Sequence, residues 1–268
     1  MDGRGSSWAR WLDQLKTWAP LAATLFGVLY AAGFVVVNAF FAQYGIRDLD
    51  AVRVRYVSTG IMFLLVISLP IYGSQVALGT AQRMRARKSA LWFAPLAFGL
   101  LAGPVLASIV ELTILARAYQ SEFSIDADRY FRPVGEPRLV FGLISVNLIV
   151  FVMSLAARLA SRAVGHPRLL IMRNALATLI VLSAIGVVVV YSTSVYGYIP
   201  QWLGGGRLEY VRLVVTPVIA EACPQCASTP VLLVDEDSSR VVVVVRQPNG
   251  ALRGVVIRGG EVKAIVNE

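Results

Sequence analysis

Histidine occurs once in this 268-residue chain, cysteine twice, and only 15% of the residues are charged, against about 25% in an ordinary soluble domain. One histidine and few acids leave little material for general acid–base catalysis. Gly-x-Ser-x-Gly, His-Glu-x-x-His, P-loop and dinucleotide-binding patterns are all missing. No catalytic residue, cofactor or metal site is therefore expected, and the chain reads as a non-enzyme. Two cysteines exclude a small disulfide-dense scaffold. What is abundant is apolar surface, since 57% of the residues are hydrophobic and the mean hydropathy is +0.67. That composition excludes disorder and points to lipid as the solvent.

A transmembrane helix needs about 20 mainly apolar residues to cross about 30 Å of hydrocarbon. Five stretches without a charged residue are long enough: 17–46, 56–82, 89–110, 139–157 and 174–206. After Arg207 the longest uncharged run, Ala222 to Val234, is too short to span. Arg4, Arg10 and Lys16 precede the first stretch, as in a signal peptide. Its apolar run from Ala19 to Phe41 exceeds the roughly 7–15 residues of a secretory core, however, so it reads as a retained signal anchor.

The expected fold class is an α-helical membrane bundle of five transmembrane helices, near 19–43, 57–79, 90–113, 139–160 and 174–197, with a small C-terminal all-β domain over 208–268. A basic segment, 1–18, precedes the bundle and a Pro/Gly hinge, 198–207, follows it. A tail of about 70 residues is marginal for an independent core. It is expected to lean on the membrane part or on a copy of itself.

Orientation follows Lys and Arg in short loops. One side carries Arg4, Arg10 and Lys16, then Arg83, Arg85, Arg87 and Lys88, then Arg158, Arg162, Arg168 and Arg173. The other carries Arg47, Arg53 and Arg55, then Arg117, Arg129, Arg132 and Arg138, then Arg207 and Arg212. The totals are close, and the dense Arg83–Lys88 cluster decides for an N-terminus in the cytoplasm and a tail outside. Arg53 and Arg55 then stand on the unfavoured face. The net charge of +9 is accounted for by residues that punctuate helix ends and reach lipid headgroups, so the bilayer is the expected partner and nucleic acid is not.

From Leu208 the period changes. The runs 208–216, 230–234, 240–246, 251–257 and 262–266 are short and rich in Val, Ile and Leu, and turn-forming residues such as Asn249-Gly250 and Gly259-Gly260 separate them. They predict one strand, a connection through Cys223 and Cys226, and a four-strand meander forming a barrel or curled sheet. Val241–Val245 lacks alternation, which predicts burial on both faces, inside a barrel or at a subunit contact.

Tyr44-Gly45-Ile46, Arg55-Tyr56 and Gly60, followed far downstream by Ile199-Pro200-Gln201-Trp202-Leu203-Gly204-Gly205-Gly206 and a Val-rich tail, resemble a family of uncharacterised bacterial multi-pass membrane proteins. The resemblance covers the first two helices and the tail. It implies the architecture and a place in the bacterial plasma membrane, and supplies no catalytic residue. Apart from it, Pro200 ends the last helix and Gly204, Gly205 and Gly206 permit a hinge or a tight junction. Phosphate cradling is disfavoured, because a helix precedes the glycines and a strand follows.

Cys223-Pro-Gln-Cys226 leaves a disulfide, free thiols, redox exchange or half of a zinc site open, and a structural disulfide is the leading reading. The single histidine, His166, lies on the other side of the bilayer in this topology. Glu111 is the one acid close to hydrocarbon. With a helix starting at Ala90 it falls at the interface. Asn38, Asn147 and Asn174, with Ser145 and Ser154, read as glue between helices, and Glu111, Asn38 and Asn147 together form a candidate intramembrane polar site. Gly99, Gly103 and Pro104 suit a close helix contact or a kink, as does Pro70. Asp126 and Asp128, near Glu136, Tyr130 and Phe131, fall short of a calcium loop.

These readings lead to a multi-pass membrane protein acting as an anchor, sensor or scaffold through its β domain, as a homo-oligomer or with an envelope protein partner. The rival is an oligomeric channel or transporter subunit.

Overall fold

The computed structural model describes residues 5–46, 54–87, 91, 93–122, 136–163, 170–237, 240–246 and 252–267. Asp126, Asp128, Tyr130, Phe131, His166, Asn249 and Gly250 lie outside the described residues. The long helices are α1 (Gly5–Ala42), α2 (Val54–Ala86), α3 (Ala94–Leu101), α4 (Gly103–Glu122), α5 (Pro137–Ala163) and α6 (Leu170–Ser194). Five candidate spans run over Trp18–Ala42, Arg55–Ala86, Ala94–Tyr119, Pro137–Ser161 and Asn174–Tyr198. Their outer faces carry exposed Leu25, Leu65, Leu106, Phe141 and Leu182, the surface that hydrocarbon wets.

Several boundaries are corrected, among them the end of the second span, which lies at Ala86 instead of near residue 79. The segment expected as a separate 1–18 arm is helical from Gly5 and continuous with the first span. The third span extends to Tyr119 instead of stopping near residue 113. It is also two helices in series, α3 and α4, breaking at Ala102. Pro104 causes this, since its ring fits only the first turn of a new helix. At the end of α1, Gly45 takes φ 69°, and Ile46 N–H reaches back to the Phe41 carbonyl at 3.1 Å. Tyr44-Gly45-Ile46 is therefore a helix stop of the left-handed type.

Inside the bundle α5 packs against α2, α4 and α6, and α1 crosses α2 and α6. The α1–α2 crossing is set by two glycines. A β-carbon on Gly33 would overlap the Tyr56 carbonyl, and one on Gly60 would overlap the Leu29 carbonyl. Such backbone-to-backbone contact is how membrane helices gain packing energy without a hydrophobic drive between them.

After the last span come two 3₁₀ turns, Tyr196–Tyr198 and Gln201–Leu203. The β domain follows: β1 (Glu209–Val215), α7 (Pro217–Ala222), α8 (Pro224–Ser228), β2 (Val231–Asp237), β3 (Arg240–Arg246), β4 (Leu252–Arg258), a turn at Gly259–Glu261, and β5 (Val262–Asn267). All pairings are antiparallel, in the order β4-β3-β2-β1-β5. The expected β2–β5 meander is thus corrected, because β5 leaves β4 and pairs with β1 on the far side. Four residue steps, from Arg258 to Val262, reach about 14 Å. Four strand spacings in a flat sheet need about 19 Å. The sheet must therefore curl until its two edges approach. Bulges between Leu233 and Asp235 in β2 and at Val214/Val215 against β5 supply the extra twist.

Candidate functional site

The membrane bundle and the β domain meet through β3. Its valines alternate between two cores: Val241, Val243 and Val245 join Val211, Leu213, Val231, Leu233, Ile257 and Cys226 inside the domain. Val242 and Val244 instead join Val234 in the core of the bundle, with Phe41, Tyr56, Tyr191, Tyr196 and Ile199. The unbroken valine run is therefore buried on both faces within one chain. A subunit contact is not needed to explain it, since the second face is covered by the end of the protein's own helices.

Arg55, in the first turn of α2, holds the two parts together. Its guanidinium donates to the Gly205 carbonyl at 2.8 Å and, at a longer 3.4 Å, to the Val234 carbonyl. Val234 is the extra residue of the β2 bulge, so its carbonyl is turned out of the ladder toward the membrane part. Both Phe41 and Tyr196 present a ring 6.0 Å from the same guanidinium. One turn further on, Thr59 donates to the Gly204 carbonyl at 2.5 Å. The Tyr44 carbonyl accepts from Gly254 N–H at 3.0 Å, where the chain leaving α1 meets strand β4.

The glycine stretch is correspondingly a tight junction and not a free hinge. Gly204 takes φ 81° against the Ser58–Thr59 backbone, and a β-carbon on Gly206 would enter the Tyr196 ring. Gly205 N–H bonds the Pro200 carbonyl at 3.0 Å and Gly206 N–H the Tyr196 carbonyl at 2.9 Å. All three glycines are buried. The last helix stops at Ser194, six residues before Pro200, which corrects the expectation that Pro200 ends it; Pro200 instead opens the second 3₁₀ turn, and its carbonyl accepts from Leu203 N–H and Gly205 N–H.

On the opposite face of the domain, Cys223 and Cys226 form a disulfide that ties α7 to α8. Cys226 is fully buried in the domain core and Cys223 lies beside it.

A third feature lies within the bundle. Asn147 on α5 donates through Nδ2 to Glu111 Oε2 at 2.9 Å and to Ser108 Oγ at 3.0 Å, both on α4. Ser108 and Glu111 are three residues apart and so share one helix face. Glu111 is only 5% exposed, which corrects its expected place at the interface: the longer third span puts it inside the bundle, about two turns before the span ends at Tyr119. Among the described residues, Glu111 Oε1, Asn147 Oδ1 and the Tyr191 hydroxyl find no hydrogen-bond partner. Asn38 is separate from this cluster, as its amide donates to Phe34 in its own helix at 2.9 Å. Gly99 packs against Ala77 and Phe151, the close helix contact expected of it.

Sequence reasoning missed Arg55 as a structural residue and read it as an orienting charge and as part of the Arg55-Tyr56 resemblance. The signal was present, since Arg55 sits on the side where positive charge is unfavoured, and such a residue needs another reason to be there. Ser108, Gly33 and Tyr191 were also missed, being ordinary residues whose roles depend on a neighbouring helix. Among the described residues no group of three or more His, Cys, Asp or Glu side chains could hold a metal ion.

The fold and the junction define a class: a helical membrane protein of five candidate spans with a five-stranded β domain docked on one end of the bundle. Compared with known proteins, the chain matches no family model, no curated protein and no solved structure.

Proposed function

We propose that this is a non-enzymatic multi-pass protein of the bacterial plasma membrane, with its N-terminus in the cytoplasm and its β domain outside. It acts as an anchor, sensor or scaffold whose β domain meets another copy or an envelope protein. The observation that carries this reading is the double burial of β3, with Val243 in the domain core and Val242 in the bundle core. A domain seated on its helices in this way passes a push or a twist to them without a flexible linker. The Cys223–Cys226 disulfide supports the external placement, because such bonds persist in oxidising compartments.

The test uses the full chain in cells. An impermeant maleimide should label the half-buried Cys223 from outside only after reduction, and the chain has no thiols other than Cys223 and Cys226 to confuse the result. A photo-crosslinker placed at Tyr210 or Val218, both exposed on the domain, should give a discrete adduct. Labelling only after lysis places the domain inside and removes the reading.

The second reading, an oligomeric channel or transporter subunit, is favoured by one observation, the unpaired Glu111 and Asn147 oxygens within the bundle. Polar groups at that depth often line ion or solute paths. Flux through proteoliposomes that disappears in Glu111→Gln would replace the first reading with this one.

A further inference from the structure

A cavity of about 400 Å³ opens where the ends of α1, α4, α5 and α6 meet the start of the β domain. Its polar lining includes Arg138 and Arg207 against one carboxylate, Glu136, together with the phenols of Tyr44 and Tyr198. Arg207 is held in place by the Tyr119 ring, 4.9 Å from its guanidinium carbon, and Tyr119 itself donates to the Tyr198 carbonyl. Burial pushes the Tyr44 phenol up from its ordinary value, with Tyr198 adding and Arg138 opposing, so its hydroxyl stays protonated and able to donate. Among the described lining residues two cations and two hydroxyl donors stand with one acid, Glu136, a set that suits an anion with several acceptor oxygens.

Its height in the molecule narrows the choice. Arg138 opens α5 at the very start of the fourth span, and Phe141, one turn along the same face, is 69% exposed to the hydrocarbon zone. A guanidinium at the start of a span, with exposed apolar surface one turn into the bilayer, matches a phosphate headgroup with acyl chains beside that surface, since arginine pairs phosphate by charge-assisted hydrogen bonds. A soluble phosphate would satisfy the arginines but would leave that surface unused.

We propose that this cavity binds the phosphodiester headgroup of an anionic lipid, with Arg138 and Arg207 pairing the phosphate and Tyr44 and Tyr198 donating to its oxygens. The lipid then bridges the membrane helices and Arg207, the residue that leads into the domain. The assignment does not depend on whether the protein is a scaffold or a transporter.

The test is native mass spectrometry of the full chain released from nanodiscs containing equal phosphatidylglycerol and phosphatidylcholine with identical acyl chains. The wild-type protein should retain phosphatidylglycerol preferentially. Arg138→Gln, at an exposed position that folding tolerates, should cut that preference about fivefold, the worth of one basic residue near an anionic headgroup. The milder Tyr44→Phe/Tyr198→Phe pair, which removes only two hydroxyls, should cut it by a smaller factor. Equal retention of the two lipids, or an unchanged preference in Arg138→Gln, overturns the proposal. Inorganic phosphate at millimolar concentration is the second arm. If it displaces phosphatidylglycerol and raises the thermal midpoint as much as the lipid does, the occupant is a soluble phosphate and the lipid assignment falls.

Discussion

Asn147 Nδ2 stands 2.9 Å from Glu111 Oε2 and joins α5 to α4 deep in the bundle, where neither side chain meets solvent. Replacing Asn147 by Leu keeps the volume and removes the donor, leaving Glu111 and Ser108 without their shared partner. Interhelical hydrogen bonds of this kind contribute roughly 0.6–2 kcal/mol, and an orphaned buried group adds about 1–3 kcal/mol. The Asn147→Leu protein should therefore melt earlier in detergent than wild type. A double variant, Glu111→Leu/Asn147→Leu, should recover part of the loss, because neither group is then stranded. Equal midpoints for Asn147→Leu and wild type would show that the contact contributes nothing.

Arg55 is expected to resist its conservative replacement. Lysine retains the charge but lacks the planar fork that reaches Gly205 and Val234 together. Arg55→Lys should lose about 1.5–3 kcal/mol of domain docking, the range for hydrogen bonds involving a charged group. Limited proteolysis reads this as faster cleavage in the 204–208 junction with the membrane part left intact. If cleavage is unchanged while Arg55→Ala is fast, a point charge suffices and the two-carbonyl clasp is unnecessary.

The Gly33–Gly60 crossing gives a sharper contrast. Gly33→Val places branched carbon into the Tyr56 carbonyl, whereas nothing stands within 4 Å of a β-carbon at Gly27, two turns earlier on the same helix. Gly33→Val should prevent the α1–α2 contact and lower the yield of monodisperse protein, and Gly27→Ala should be silent. Size-exclusion profiles of the two variants, made side by side, check it. A Gly27→Ala defect equal to that of Gly33→Val would mean that the α1–α2 backbone contact is not what is being measured, since alanine favours the helix over glycine.

Breaking the disulfide should cost less than its burial suggests. A four-residue loop restrains little chain entropy, about 2 kcal/mol on the loop-closure estimate, and Cys226→Ser adds a hydroxyl to an apolar core. Cys226→Ala should therefore be milder than Cys226→Ser in thermal unfolding, and the reverse order would indicate that the sulfur packing is not what holds α8 to the sheet.

Much of this architecture can be read from the chain, because lipid imposes a simple rule on composition. The five spans follow from charge-free stretches, and the strands follow from short Val-rich runs between turn residues. What could not be read is relational. Pro104 announces a break but not that two helices in series would share one span. Gly259-Gly260 announces a turn but not that β5 would cross to β1, since that depends on how far the sheet curls. Arg55 carries no local sign that its partners are 150 and 179 residues away. The position of Glu111 was misjudged for a similar reason, because the apolar run after it was read as ending too soon.

The valine strand offers the most discriminating experiment, because adjacent identical residues serve different cores. Val243 is fully buried inside the β domain and Val242 is 2% exposed against the bundle, so composition and burial alone rank them as equals. An aspartate at either site strands a charge, at a cost of at least about 3 kcal/mol. The consequences should diverge. Val243→Asp destroys the domain core, so the Cys223–Cys226 bond becomes rapidly reducible and strand amides lose protection against hydrogen exchange. In Val242→Asp the domain core is intact, and the domain instead comes off the helices. The disulfide keeps its slow reduction and β3 its protection, while the 204–208 junction becomes cleavable and the carbonyl clasp of Arg55 is released. Measuring disulfide reduction and junction cleavage on the same two samples separates the outcomes. If both variants lose disulfide protection together, the domain cannot stand without its seat on the bundle. Docking would then be part of its folding, and the coupling between membrane and domain would be obligatory.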